Sequence, residues 1–256
     1  MEIVPLAPAL EHVFWRHVNQ DIPHYYFFAL DWKYDKDVSK ILLALEGNRV
    51  DAMMLVYRQS IVQLRGSDEA VRALLERLDV EEVELQAEEQ HEQRVLEKYK
   101  AAIRHKMILM TLNKNGESLQ LVHPVVELCV SDSEEIALLM RLANPEAWGD
   151  TTSQRIVEGM RRVSWFGIVV NGELVSIGSV HLTEWGGLIG VVATHGAHMN
   201  RGYATSVVSK LVEQIFENRS MAMIYVLADN LPAVRVYEKV GFKPYREYFF
   251  MRGEKR

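Results

Sequence analysis

Apolar residues recur at Ala204, Val207, Val208, Leu211, Val212 and Ile215, the i, i+3, i+4, i+7 spacing of an amphipathic helix. An apolar run ends just before it at Thr194, and a short loop holding Gly196 and Gly202 lies between. The pattern predicts strand, loop and helix over 191–215. Downstream, Met221 to Leu227 (MAMIYVL) reads as a buried strand. A short helix then begins near Asn230-Leu231-Pro232, carries Tyr237 and closes at Gly241. Upstream, Val125 to Val130 reads as a strand, and Ser131-Asp132-Ser133-Glu134 as a capping box starting a helix through Arg141 or Leu142. Pro145 stops that helix, 144–150 is a loop, and Thr152 to Val163 is a second helix with Ile156, Val157, Met160 and Val163 on one face. Strands at 165–170 and 174–182 flank an Asn171-Gly172 turn, and 187–194 continues the sheet.

The first half alternates in the same way. Ala7 to Asn19 predicts a helix, and Tyr25 to Leu30 is aromatic and apolar. Ile41 to Leu45 and Val50 to Tyr57 flank Glu46-Gly47-Asn48, a hairpin signal, with a third strand at 61–64. Gly66-Ser67-Asp68 opens a helix with Val71, Leu74, Leu75 and Leu78 on its apolar face. Arg94 to Met110 aligns without gaps on Arg235 to Met251, at an offset of 141 residues, with identities that include Arg94/Arg235, Val95/Val236, Glu97/Glu238 and Lys98/Lys239. Either the first half is a worn copy of the second, or two helix-strand units are alike by chance. The polar, Gly-centred stretch 113–118 (NKNGES) reads as a linker between domains 1–112 and 119–256.

Composition narrows the class. A chain 48% hydrophobic and 25% charged is ordinary globular material, and a net charge of −6 with no Lys/Arg run among aromatics gives no nucleic-acid surface. No apolar run approaches the ~20 residues of a membrane span, and no leader pattern opens the chain. The expectation is a cytoplasmic protein with no membrane partner. Its one cysteine, Cys129, reads as a buried strand position in VVELCVSD, against the alternative of a catalytic thiol.

The loop before the long helix carries the candidate chemistry. Backbone N–H groups from about Asn200 to Thr205 meet a helix start, where they lack intrahelical partners and the macrodipole is positive. Such a place binds phosphate. Gly202 and small Ala204 let an anion reach the main chain, and Arg201 adds charge. A tight strand-to-helix turn with no ligand is the plainer reading of the spacing alone.

Met199-Asn200-Arg201-Gly202-Tyr203-Ala204, followed thirty residues on by ADNLPAVRVYEKVGFKP, resembles the acyl-CoA-binding half of the GNAT superfamily of N-acetyltransferases, closest to its glycine N-acyltransferase-like branch. The resemblance covers about Val125 to Met251, with Met199 where the family has Gln or Arg. It implies an α+β fold, a mixed, mostly antiparallel sheet flanked by helices, as a tandem with a degenerate N-terminal half. In that half Asp68 and Glu69 stand where phosphate would sit, so it should not bind coenzyme A. The resemblance assigns Val192, Ala193 and Thr194 to the pantetheine arm, and residues from Met199 through Asn200, Arg201, Gly202, Tyr203, Ala204 and Thr205 to the pyrophosphate. Asn230 would lie near the arm or the thioester, or cap its helix. Tyr237 would be the general acid, or pack with Ala233, Val236 and Val240. Lysine-acetylating relatives carry a glutamate at the position of Leu188. With no carboxylate there, the candidate bases are Glu184, His181, His195 and His198, or none is needed. Acceptor choice falls to the 144–150 loop, where Trp148 either walls a pocket or packs as an ordinary core residue, and Arg161 and Arg162 are either carboxylate partners or a solvated face. The function implied is transfer of acetyl from acetyl-CoA to a primary amine, small-molecule or peptide, by direct attack in a ternary complex without a metal. The alternative is a non-catalytic acyl-CoA sensor or scaffold. An N-terminal half without coenzyme could serve homodimer formation or partner recognition.

Overall fold

Alternation around Gly47 closes into a hairpin in the computed structural model, which describes residues 1–256. After β1 (Glu2–Pro5), α1 (Glu11–Val18) and α2 (Ile22–Tyr34), β2 (Ser39–Glu46) pairs with β3 (Arg49–Tyr57) from Ser39↔Tyr57 to Glu46↔Arg49. β4 (Ile61–Gly66) lies antiparallel to β3. α3 (Asp68–Arg77) then carries the chain to β5 (Glu82–Glu88), parallel to β4, and α4 (Glu92–Lys98) leads into β6 (Tyr99–Asn113). The aromatic stretch 25–30 is helical because Asp21 accepts the His24 N–H at 3.2 Å and Pro23 sits in the first turn.

The second half begins with β7 (Val126–Leu128), α5 (Ser133–Ala143), α6 (Pro145–Trp148) and α7 (Ser153–Gly159). An antiparallel run follows, β8 (Val163–Val170), β9 (Glu173–Thr183) and β10 (Gly186–Thr194). Asn171 and Gly172, at φ 53° and 85°, make the turn between β8 and β9. α8 (Tyr203–Asn218) returns the chain to β11 (Met221–Leu227), parallel to β10, and α9 (Leu231–Val240) precedes β12 (Lys243–Lys255).

These elements form two compact units that interleave along the sequence. One holds Met1–Ile108, Leu227–Asp229 and Arg246–Arg256, and the other Leu109–Val226 and Asn230–Tyr245. The last strand of the 119–256 stretch therefore packs with the first unit, where β12 pairs with β5 from Tyr248↔Glu88 to Glu254↔Glu82. The strand order within the first unit is β1-β2-β3-β4-β5-β12, and within the second β11-β10-β9-β8-β7.

In the second unit one face of the sheet takes α5 and α7, through Leu128, Ile136, Ala137, Met140, Ile156, Trp165, Ile177 and Ala193. α8 covers the opposite face, directly over Gly178 and Gly187, where a Cβ would run into Val207, Leu211 and Ile215. Three local expectations change. The strand at β7 ends at Leu128, so Cys129 is exposed and not buried. The capping bond ahead of α5 runs from the Cys129 N–H to the Asp132 carboxylate at 2.7 Å, two residues before the expected box. α7 stops at Gly159, and Val163 already belongs to β8.

Asp31 on α2 is 6% exposed, and burial first, then the charge of Asp35, lifts its carboxyl to about 7 against the pull of Arg58. The folded chain holds this proton more tightly than the unfolded chain, so stability falls as pH rises from about 4 through about 7. Asp31→Asn should raise stability above pH 7 by about 2 kcal/mol, less than the full linkage because the amide is buried too. The gain should vanish below pH 4, as checked by denaturant melts across pH.

Candidate functional site

β9 and β10 pair residue for residue from Thr183↔Gly186 to Val180↔Ile189 and again from Gly178↔Val192 to Ser176↔Thr194. Between these runs Gly190 and Val191 stand opposite Ser179 alone, a β-bulge that bends the strand. The Ser179 hydroxyl accepts the Val191 N–H at 2.9 Å and so holds the bulge in place. On its other edge β10 pairs with β11 only from Gly187↔Ala222 to Ile189↔Ile224. The pairing ends where the bulge begins. Val192, Ala193 and Thr194 thus lie on an edge that β11 has left, a slot into which an extended, amide-bearing chain fits as an added strand would.

The chain leaves β10 through a 3-10 turn, Gly196–His198, anchored by the His195 N–H on the Val175 carbonyl at 2.8 Å. Asn200 and then Gly202 adopt left-handed backbone, at φ 61° and 83°. Gly202 is the N-cap of α8 and no side chain caps the helix there. The Ser206 N–H reaches back to the Gly202 carbonyl at 3.0 Å, so the amides of Tyr203, Ala204 and Thr205 have no turn before them to bond. Around this opening Met199, Asn200, Arg201 and Gly202 are exposed, Ala204 is half-buried, and the side chains of Tyr203 and Thr205 are buried. Those last two can serve a ligand only through their backbone. The Arg201 guanidinium donates to the Ala197 carbonyl at 3.3 Å and remains exposed beside the loop.

One residue that holds this loop was not singled out from the sequence. His123 donates from Nε2 to the Arg201 carbonyl at 2.8 Å, and its ring lies 4.4 Å from that of Tyr203. Its N–H bonds the Ser206 hydroxyl at 3.2 Å, which in turn donates to the Gln120 carbonyl at 3.1 Å. The available signal was Ser206 and Ser209, polar residues beside the apolar face of α8 that end fully buried.

α9 packs against α8 and brings Asn230 and Tyr237 into this unit. The Asn230 side-chain oxygen Oδ1 accepts the Ala233 N–H at 3.3 Å, so the residue caps the helix and remains exposed. Tyr237 is 5% exposed, against Phe242, and burial pushes its phenol well above the ordinary value. At any working pH it is neutral and keeps a proton to donate in a hydrogen bond.

The candidate bases separate. Glu184 is in the exposed turn between β9 and β10, not in a strand. The four residue steps from Gly186 to Gly190 alone set it back ~13 Å from the bulge. His181 faces Leu188 directly across the β9–β10 pair and Val163 across β8–β9, and is half-buried. Directly opposite residues share a sheet face, so the imidazole projects beside the position of Leu188. His195 and His198 bracket the 3-10 turn instead. The 144–150 loop folds as α6, with the Asn144 side chain accepting the Ala147 N–H at 3.0 Å and Trp148 packed on the core under α5 and α7. Arg161 and Arg162 are exposed.

The first unit repeats the strand-helix-strand path but not this opening. β4 and β5 remain paired through Leu64↔Ala87, and the Gly66 N–H donates to Glu88 at 3.0 Å. Ser67 caps α3 by accepting the Ala70 N–H, and Asp68 is held by Arg94 at 2.7 Å and His91 at 3.1 Å. A helix start that is capped and acidic repels phosphate. Calorimetric titration should give one coenzyme A per chain, not two.

The chain has counterparts of similar fold among known proteins. Residues 166–251 match the family described as FR47-like protein. A Sphaerobacter thermophilus GCN5-related N-acetyltransferase superposes with a TM-score of 0.65 at 14% identity, over 98% of this chain and 95% of that one. A tandem GNAT protein from the clavulanic acid biosynthesis pathway does so at 0.58 and 15%, over 99% and 98%. The fold is that of the GNAT acetyltransferases. A Drosophila protein aligns with a TM-score of 0.72 at 11% identity over 97% of this chain and 98% of its own. No curated protein sequence matches the chain. The GNAT fold thus extends over nearly the whole chain, while the FR47-like match lies in its second half and spans β10, the α8 loop and α9. No helix is long and apolar enough to cross a membrane.

Proposed function

We infer that the second unit binds acetyl-CoA and transfers its acetyl group to the nitrogen of a primary amine. The observation that carries this reading is the coincidence of the bulge at Gly190-Val191 with the end of β10–β11 pairing, eleven residues ahead of Gly202, the N-cap of an uncapped, glycine-led helix. The slot suits the pantetheine amides along Val192, Ala193 and Thr194. The α8 start suits the pyrophosphate, received by the backbone from Met199 to Thr205 with the Arg201 charge beside it. Asn230 caps α9 at the same end of the unit's sheet.

In the reaction the amine nitrogen attacks the thioester carbon, its surplus proton passes to a base, and the C–S bond breaks to release the thiolate of coenzyme A. His181 is assigned as the base in place of Glu184, because it stands beside Leu188 on the strand that bulges. Tyr237 donates a hydrogen bond to the departing sulfur. It does not give up its proton: a thiolate of pKa near ~8.5 cannot deprotonate a phenol that burial has pushed upward. The thiolate takes its proton from solvent or from the protonated imidazole. His181→Gln should lower kcat/KM on the order of 10²-fold, with acetyl-CoA affinity unchanged.

Calorimetry with acetyl-CoA, followed by thiol release across a broad amine panel, tests the reading. No binding at millimolar concentration removes the site, and binding without transfer to any amine removes the enzyme. That second outcome would favour an acyl-CoA sensor, for which Met199, 55% exposed at a position where a polar side chain would meet phosphate, is the supporting observation.

A further inference from the structure

We propose that Glu173, His195 and His198 form a binding site for one divalent transition-metal ion of the zinc class, at the foot of the loop that leads into α8. Each residue offers one ligand atom, and the three atoms lie within 4.8 Å of one another. A tetrahedral ion with bonds of ~2.1 Å holds its ligands ~3.4 Å apart, so the set must contract by at most about 1.4 Å. Glu173, exposed at the start of β9, has the freedom to supply that movement.

Two further features single out this cluster. The Nδ1 atom of His198 is buried and has no hydrogen-bond partner, a state that buried ring nitrogens rarely keep. Glu173 and His195 also line a cavity of about 220 Å³, whose other walls include Glu135, Leu138 and Leu142 of α5 and Leu174 of β9. Three protein ligands with an open side facing a cavity leave the fourth position to water or to a small ligand. Two imidazoles with one carboxylate select zinc, cobalt, nickel or copper over magnesium or calcium.

Coordination has a consequence for the neighbouring loop. His195 Nδ1 now accepts the Ala197 N–H at 3.2 Å, a long contact that must yield for the ring to present a lone pair to the ion in either orientation. An ion shared by His195 and His198 would therefore clamp the turn between them and fix how residues 199–202 enter the helix.

The test is calorimetric titration of Zn²⁺ into the full chain without a polyhistidine tag, with Co²⁺ absorption to read the coordination geometry. One ion per chain with micromolar or tighter affinity is expected, and an intense visible Co²⁺ band from a four-coordinate centre. His195→Ala and His198→Ala should each weaken binding at least tenfold, and Glu173→Gln several-fold. His12→Ala, an exposed histidine on α1, should leave it unchanged. Because Glu173 is exposed, its variant should fold as the parent does, and metal-free melting curves check all four. Affinity weaker than 100 µM, or affinity that His195→Ala and His198→Ala leave intact, overturns the site. So does equal loss in His12→Ala.

Discussion

Tyr237→Phe is expected to lower the turnover of acetyl transfer on the order of 10²-fold while leaving acetyl-CoA affinity within about twofold of the parent. The variant keeps the ring that packs against Phe242 on the buried face of α9 and removes only the hydroxyl. In the ground state the thioester sulfur is a poor acceptor, so little binding is lost. As the C–S bond breaks, charge gathers on sulfur inside a poorly solvated slot, and a neutral donor already in place stabilises it without reorganisation. Rapid-mixing kinetics and calorimetry on the same preparation separate the two effects. The pH profile adds a discriminating sign. Burial raises the phenol, so ionisation of Tyr237 should put no basic limb on kcat between pH 8 and 10. A Phe variant with unchanged turnover across several amines would remove the hydroxyl from the mechanism.

The parts of this site that depend on local pattern were legible in the sequence. α8 was marked by its apolar spacing, the β8–β9 turn by Asn-Gly, and the end of α9 by Gly241, which caps it in left-handed backbone. What depends on pairing between distant strands was not. Nothing in GGLIGVVAT announces a bulge, because the hydroxyl that sets it belongs to Ser179 on the neighbouring strand. Glu184 shared the strand parity of Leu188 only if the strand extended back through it, and the chain turns there instead. Cys129 sits among apolar residues, yet β7 ends one residue before it. The polar stretch 113–118 was read as a linker, yet the chain passes from one unit to the other inside β6, between Ile108 and Leu109. That Arg246–Arg256 would rejoin the first unit against β5 is a long-range pairing which composition does not encode.

Gly202→Val should weaken coenzyme A binding on the order of 100-fold, with Gly196→Ala as its control. Two effects add at Gly202. A β-branched residue held at φ 83° is strained by ~1–2 kcal/mol, which the loop can relieve only by turning the amides of 203–205 away from the ligand. The new side chain would also stand at the exposed mouth of α8, where the nearest atom now is His123 Nε2 at 3.7 Å, and so occupy the space an anion needs. Loss of close contact to two or three charge-assisted donors then accounts for the remaining decrease. Gly196, six residues earlier, is not at positive φ, and a Cβ added there would have nothing within 4 Å, so Gly196→Ala should bind as the parent does. Because Gly202 is exposed and precedes the helix, thermal stability should fall by no more than the backbone strain. Calorimetry paired with a melting curve for each variant tells the two apart: unchanged affinity in Gly202→Val, with the fold intact, would mean that phosphate does not bind at this helix start.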